Sequence, residues 1–264
     1  MTFERLTLAT PSSRSYQRKG RARYGGRARG CIFALSLCLL MLVSVACAQD
    51  STALTGQSNA TTSHQQSVKQ TTYVAIGASD TFGIGTYDPY DDNWPTDLAA
   101  LLGPSHIHLI NLGIPGITVH DALRLELPVA LDSHPDLITI WLGVNDIVDK
   151  VSANSYASNL NTLLSRLRAN SPHARIAMAN IPDLTLLPFF AQVDAQLLTR
   201  QIQAYNTIIA SAAQQYHAIL VDLTQQNYNL KAHPEYINSN DGLHPSDIGY
   251  EQLAKVFYQA LQHQ

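Results

Sequence analysis

A serine and a distant Asp–His pair are the residues of this chain best suited to chemistry. Ser79 stands in the motif GASD (77–80), and Asp241 precedes His244 by three positions in DGLHPS (241–246). A serine hydroxyl becomes an effective nucleophile when a histidine takes its proton. A carboxylate on the other imidazole nitrogen fixes the tautomer and stabilises the imidazolium. The pattern therefore predicts a triad with Ser79 as nucleophile, His244 as base and Asp241 as acid.

Such a triad also needs hydrogen-bond donors for the oxyanion that develops on the attacked carbonyl. Three candidates are the backbone N–H of Ser79, the backbone N–H of Gly116 in NLGIPG, and the side-chain amide of Asn145 in LGVND. Each of them follows a short apolar run. In open α/β sheets, ligands bind beyond the carboxyl ends of the strands, so we expect all three donors at one edge of a sheet.

The elements that must position these residues follow from the hydrophobic pattern. Short apolar runs alternate with amphipathic stretches of helical period. The predicted strands cover 73–77, 107–112, 137–142, 176–180 and 218–223, and the predicted helices cover 96–102, 118–127, 155–168, 195–216 and 246–261. Strands separated by helices indicate a parallel sheet covered on both faces. The predicted fold is α/β: a three-layer α/β/α sandwich with a five-stranded parallel sheet, of flavodoxin-like type.

The four motifs GASD, NLGIPG, LGVND and DGLHPS, in this order, resemble the characteristic blocks of the SGNH subgroup of GDSL hydrolases. The resemblance extends from Tyr73 to Ala260. It implies an esterase or lipase with Ser79, Asp241 and His244 as its triad, with Ser79, Gly116 and Asn145 as its oxyanion hole, and with no cofactor or metal. Ala78 replaces the Asp of the name-giving motif, which the family uses mainly to support the loop.

The N-terminal region has the composition of a secretory signal. Eight of the seventeen basic residues lie within residues 1–30, and the uncharged run 31–46 follows. Ala46-Cys47-Ala48 is a suitable cleavage site, although the run before Cys47 also resembles a bacterial lipobox, which would leave a lipid tether on this cysteine. We predict a signal in 1–48, a flexible linker in 49–70, a catalytic domain in 71–264, and an extracellular or cell-surface protein.

Composition excludes several classes of function. From Gln49 onward the chain has nine basic and nineteen acidic side chains, a net charge of −10. This charge argues against binding of nucleic acid or an anionic membrane. All three cysteines lie within 31–47, so the remainder has no thiolate nucleophile and no cysteine metal site. We expect His106 and His108 to be surface or half-buried histidines rather than metal ligands, and the acidic cluster in 88–92 to be an exposed loop.

Alternatives stay open on the residues alone. Ser79, Thr81, Gly83 and Gly85 after a strand also suit the phosphate-binding loop of a flavodoxin-like nucleotide binder. A non-catalytic binding domain of the same fold is another alternative, and a polysaccharide O-deacetylase is a third. The apolar segment 181–190 (IPDLTLLPFF) is either an acyl-binding wall or lid, or a buried connector. The natural ester and the oligomeric state are left undetermined.

Overall fold

The computed structural model describes residues 70–224 and 228–263. Within them a single sheet has five parallel strands in the order β2-β1-β3-β4-β5. The strands are β1 (Thr71–Gly77), β2 (Ile107–Asn111), β3 (Leu137–Trp141), β4 (Arg175–Ala179) and β5 (Ile219–Val221). This order is that of the flavodoxin-like doubly wound sheet. The predicted fold class is therefore confirmed.

Helices cover both faces of the sheet. They are α1 (Ser79–Phe82), α2 (Trp94–Leu102), α3 (Val119–Leu125), α4 (Leu127–Asp132), α5 (Val144–Val148), α6 (Ala153–Asn170), α7 (Ala195–Gln215) and α8 (Asp247–Gln262). Helix α2 packs against α8, while α3 and α4 pack against α6, and α6 against α7. None of the helices in the described ranges is both long and apolar enough to span a lipid bilayer.

The longer predicted helices are present, and the short ones differ from the prediction. The helix predicted over 118–127 is two helices, α3 and α4, which meet at Glu126. Pro128 lacks the N–H that a continuous helix would use there, which interrupts the hydrogen-bond pattern. The stretch after β1, for which no helix was predicted, forms the single helical turn α1. The predicted signal (1–48) and nearly all of the predicted linker (49–70) lie outside the described residues.

Candidate active site

The turn after β1 carries Ser79 to the carboxyl edge of the sheet. Ser79 is the first residue of α1, which Gly83 ends in a left-handed conformation with φ of 107°. The chain is so tightly folded here that a Cβ on Gly77 would lie 1.9 Å from the Thr81 hydroxyl oxygen. Only glycine fits such a close approach. The buried position of Thr81 also argues against the phosphate-loop alternative, because its hydroxyl is directed into the protein.

The loop before α8 holds the Asp–His pair in a fixed geometry. Asp241 Oδ1 accepts hydrogen bonds from the N–H groups of Leu243 (2.8 Å) and His244 (3.0 Å). Its Oδ2 lies 2.8 Å from His244 Nδ1. Ser246 caps α8 by accepting from the N–H of Gly249, so the loop ends where the helix begins. One turn of chain thus aligns the carboxylate with the imidazole.

The imidazole of His244 joins the two segments. Its Nε2 lies 2.8 Å from Ser79 Oγ, across 165 residues of sequence. With Nδ1–H donating to Asp241, Nε2 accepts from the serine hydroxyl. Burial acts to raise the pKa of Asp241, but hydrogen bonds from Leu243 and His244 outweigh it and hold this pKa below its usual value. The carboxylate is therefore ionised near neutral pH, as a group that orients a histidine base must be.

Asn145 lies in the same pocket as Ser79 and His244. It belongs to α5, directly after β3, and its Nδ2 donates to the carbonyl of Ile117 at 2.9 Å. A side-chain amide has two N–H bonds, so one remains available to a ligand. Gly116 precedes this carbonyl, is exposed, and has a φ of 83°. It is not among the described residues that line the pocket, and its role as a donor stays a prediction.

A small, mostly apolar cavity of about 50 Å³ opens beside Ser79. The segment 181–190 contributes Pro182, Leu184 and Leu187 to its wall. The N–H of Phe189 donates to the carbonyl of Gly242 at 3.1 Å, which connects this segment to the Asp–His loop. The segment therefore forms part of the pocket wall. The other apolar and aromatic side chains of the wall are those of Ala78, Trp141, Leu142, Val144, Tyr228, Leu230, Tyr236, Ile237, Leu243 and Pro245.

Two carboxyl groups near Ser79 were not predicted to have a role. Asp80 follows Ser79 and lines the pocket. Glu126, at the α3–α4 junction, is 1% exposed, and its Oε1 accepts from the N–H of Gly77 at 3.0 Å. Its Oε2 has no hydrogen-bond partner among the described residues. The sequence signal that could have indicated a role for Glu126 is its position as the lone acid within the apolar stretch 125–130. An acid in such a stretch must be either exposed or specifically hydrogen-bonded.

We expect Glu126 to make the stability of the protein depend on pH. Burial raises its pKa to about 8, against the opposing effect of the Gly77 N–H. The folded state therefore keeps a proton that the unfolded chain loses above about pH 4.5. Stability contributed by this group is complete below that pH and is lost as the pH rises through about 8. The variant Glu126→Gln should match the wild type at pH 5 and be the more stable protein at pH 8.5.

Thermal unfolding of both proteins at the two pH values measures this difference. The free energy of unfolding of Glu126→Gln should exceed that of the wild type by an amount that grows by about 1.4 kcal/mol for each pH unit between about 4.5 and about 8. Comparison of the two proteins is required because burial also raises the pKa values of Asp80 and Asp146 to about 6, and these groups titrate in both. A difference that does not change with pH would contradict the account of Glu126.

Other candidate groups lie away from the pocket. His106 and His108 are exposed, as are Asp88, Asp91 and Asp92. Over the described ranges, no group of three or more His, Cys, Asp or Glu side chains is arranged to hold a metal ion.

Known proteins share both sequence and fold with this chain. The model of the GDSL-like lipase/acylhydrolase family matches residues 75–252. An arylesterase from Vibrio mimicus is 30% identical over 106 residues, which cover 39% of this chain and 52% of the relative. The chain spans about half the length of the curated relatives it matches.

Two solved structures illustrate the fold. A lipase/acylhydrolase from Enterococcus faecalis has a TM-score of 0.60 at 18% identity, covering 74% of this chain and 96% of that one. An acetylxylan esterase from Geobacillus stearothermophilus has a TM-score of 0.59 at 19% identity, covering 74% and 95%. The family match includes the end of β1, the turn that carries Ser79, and the loop that carries His244. The resemblance seen in the four motifs is thereby confirmed, and the chain belongs to the GDSL-like lipase/acylhydrolase family.

Proposed function

We propose that this protein is an exported serine hydrolase that cleaves carboxylic esters through an acyl-enzyme on Ser79. The observation that carries the proposal is the pair of 2.8 Å contacts that joins Ser79 Oγ to His244 Nε2 and His244 Nδ1 to Asp241. These contacts lie beside a small apolar cavity. Activities named for relatives, an arylesterase and an acetylxylan esterase, support ester hydrolysis as the reaction.

The geometry supports a two-step reaction. Ser79 Oγ attacks the ester carbonyl carbon while His244 Nε2 takes the hydroxyl proton. Asn145 Nδ2–H, the Ser79 N–H and, by resemblance, the Gly116 N–H donate to the oxyanion. The carbon–oxygen bond to the alcohol then breaks, and His244 returns the proton to the departing alkoxide. Water, deprotonated by His244, attacks the acyl-enzyme and releases the carboxylic acid and free Ser79.

The size of the cavity favours a short acyl chain. A site for one water-sized group needs roughly 10–15 Å³ measured in this way, so about 50 Å³ holds about four such groups. Acyl chains of two to four carbons fit within this volume, and longer chains extend beyond it. The lining side chains from Leu184, Leu187 and Leu230 exclude water from the acyl chain rather than hydrogen-bond to it, which suits an apolar substituent.

A series of para-nitrophenyl esters of two to sixteen carbons tests this function. We expect phenolate release from the acetate and butyrate esters, with kcat/KM at least about tenfold higher than for the palmitate ester. Equal or higher activity on the long chain would contradict the short-chain proposal. Absence of hydrolysis of every ester by folded protein would contradict the esterase itself.

A polysaccharide ester is the second candidate substrate. Tyr87 and Tyr90 are 98% and 79% exposed, and flat aromatic faces offer packing surfaces to a partner. Their loop begins beside the imidazole, because a Cβ on Gly85 would lie 3.4 Å from the Cβ of His244. An acetyl group fits the cavity. Release of acetate from an acetylated polysaccharide, measured beside the nitrophenyl series, distinguishes this candidate from a small-molecule esterase.

Export and anchoring remain part of the proposal, since the residues that suggest them lie outside the described ranges. Cleavage after Ala48 would give a mature protein that begins at Gln49, whereas lipoprotein processing would leave a lipid-modified Cys47. The mass of the mature N-terminal peptide distinguishes the two. A cytoplasmic protein that retains residues 1–46 would contradict both.

A further inference from the structure

Asp80 is an acidic side chain in an otherwise mostly apolar pocket. It is half-buried and lines the cavity together with Ser79 and His244. Its Oδ1 accepts the N–H of Thr81 at 2.9 Å, so the carboxyl group is fixed to the first turn of α1. Asp241, which contacts His244 directly, is not among the residues that line this cavity. The cavity beside Ser79 therefore includes the carboxylate of Asp80 but not that of Asp241.

The titratable groups that face Asp80 belong to four segments around it, and they are His244, Glu126, Tyr228 and Tyr250. Protonated His244 acts to lower the pKa of Asp80, while burial, the larger effect, raises this pKa to about 6. Glu126 faces it as a second buried carboxyl. Burial chiefly, and the charge of Asp80 in addition, raise the pKa values of Tyr228 and Tyr250, so both phenols stay neutral.

Among the described residues that line the pocket, His244 is the only source of positive charge for this carboxylate. The cavity has no lysine or arginine among its described lining residues. An ionised Asp80 that has lost much of its hydration therefore interacts favourably with one cation, the imidazolium of His244. Electrostatic coupling is reciprocal: a cation that favours the ionised acid is itself favoured by that acid to the same extent.

We propose that Asp80 is a positioning residue that acts through His244, and that its carboxylate stabilises the imidazolium which forms when His244 takes the proton of Ser79. The carboxylate of Asp241 is 37% exposed on its side chain, whereas the imidazole is 15% exposed. Water weakens the interaction of an exposed charge with its partner. Asp80, which is half-buried and lines the cavity together with His244, supplies a second and less hydrated negative charge.

This inference rests on the proposed esterase function, but its first test does not require activity. Carbon-13 NMR of labelled aspartate, assigned with Asp80→Asn, follows the titration of Asp80 directly. In His244→Gln the pKa of Asp80 should rise above about 6, because the opposing cation is lost. The exposed residue His106 provides a matched control, His106→Gln, in which the titration should not change. An Asp80 titration that is the same in His244→Gln as in the wild type would overturn the inference.

Kinetics of Asp80→Asn provide the second test. Asparagine retains the acceptor for the Thr81 N–H and removes only the charge. We expect kcat/KM for para-nitrophenyl acetate at pH 7.5 to fall about tenfold, the equivalent of one pK unit of stabilisation. The acid limb of the pH profile should also move to lower pH and become less steep, because one required ionisation is gone. A purely structural role would lower the plateau without moving this limb.

Asp194→Asn is the matched control for the loss of one negative charge. Asp194 is an exposed cap at the start of α7, where its Oδ1 accepts the N–H of Leu197. The pH profile of kcat/KM for Asp194→Asn should have the same maximum and the same acid limb as that of the wild type. An Asp80→Asn enzyme with unchanged or higher kcat/KM would overturn the proposal, since the carboxylate would then be indifferent or would oppose the oxyanion. An acid limb at its original position would overturn it as well.

Discussion

In the Ser79→Ala variant we expect kcat for para-nitrophenyl acetate to fall roughly 10⁶-fold, to the small residual rate that the oxyanion hole and substrate binding sustain. Loss of the nucleophile removes the acyl-enzyme pathway altogether, and in triad enzymes one such loss has about the effect of losing the whole triad. The alanine variant should fold normally, because within the described ranges the Ser79 hydroxyl makes a single hydrogen bond, the one to His244. Its melting temperature should therefore stay near that of the wild type.

The measurement is initial phenolate release at equal concentrations of folded protein. Ser165→Ala is a suitable control, since Ser165 is an exposed serine on α6. The control variant should retain wild-type activity. A Ser79→Ala enzyme that keeps more than about a hundredth of the activity would contradict a serine mechanism, because that residual rate is far above what an oxyanion hole and substrate binding alone sustain.

The second large effect is expected in Asn145→Ala. Its side chain lines the pocket beside Ser79, and one amide N–H is free to donate once the other is bonded to the Ile117 carbonyl. Removal of a single oxyanion donor costs about 10²- to 10³-fold in kcat. Because the negative charge on oxygen develops only in the transition state, kcat should fall while KM changes little.

Steady-state kinetics with separate determination of kcat and KM check this result. The exposed Asn154 at the start of α6 provides the control variant Asn154→Ala. Asn145 also holds the Ile117 carbonyl, so the melting temperature of Asn145→Ala must be measured as well. An increase in KM with unchanged kcat in a folded Asn145→Ala protein would show that Asn145 binds the substrate in its ground state, and would contradict its oxyanion role.

The centre of the sheet was predictable from the sequence because its inner strands, β1, β3 and β4, are largely buried on both faces. Continuous apolar runs such as 137–141, bounded by turn residues, have no alternative but the centre of an α/β sheet. The prediction was less accurate where a single residue decides the local structure. Pro128 ends one helix and begins another within an unbroken apolar pattern, and the one-turn helix after β1 is too short to show a period.

The candidate site was only partly predictable from the sequence, for a different reason. Asp241 and His244 are close in sequence and share one turn, so their pairing follows from local geometry. The meeting of His244 with Ser79, 165 positions away, follows from the rule that chemistry collects at the carboxyl edge of the sheet. No local pattern shows that Glu126 reaches the N–H of Gly77. That contact depends on how α3 and α4 pack against β1.

The central claim, an acyl-enzyme on Ser79, is tested most directly by covalent labelling. The protein is incubated with a fluorophosphonate ester, which phosphonylates activated serines, and the modified peptide is located by mass spectrometry. We predict one stoichiometric adduct on Ser79, absent in Ser79→Ala and formed far more slowly in His244→Gln. Modification of a different residue, or ester hydrolysis by a protein that takes up no label, would contradict the account.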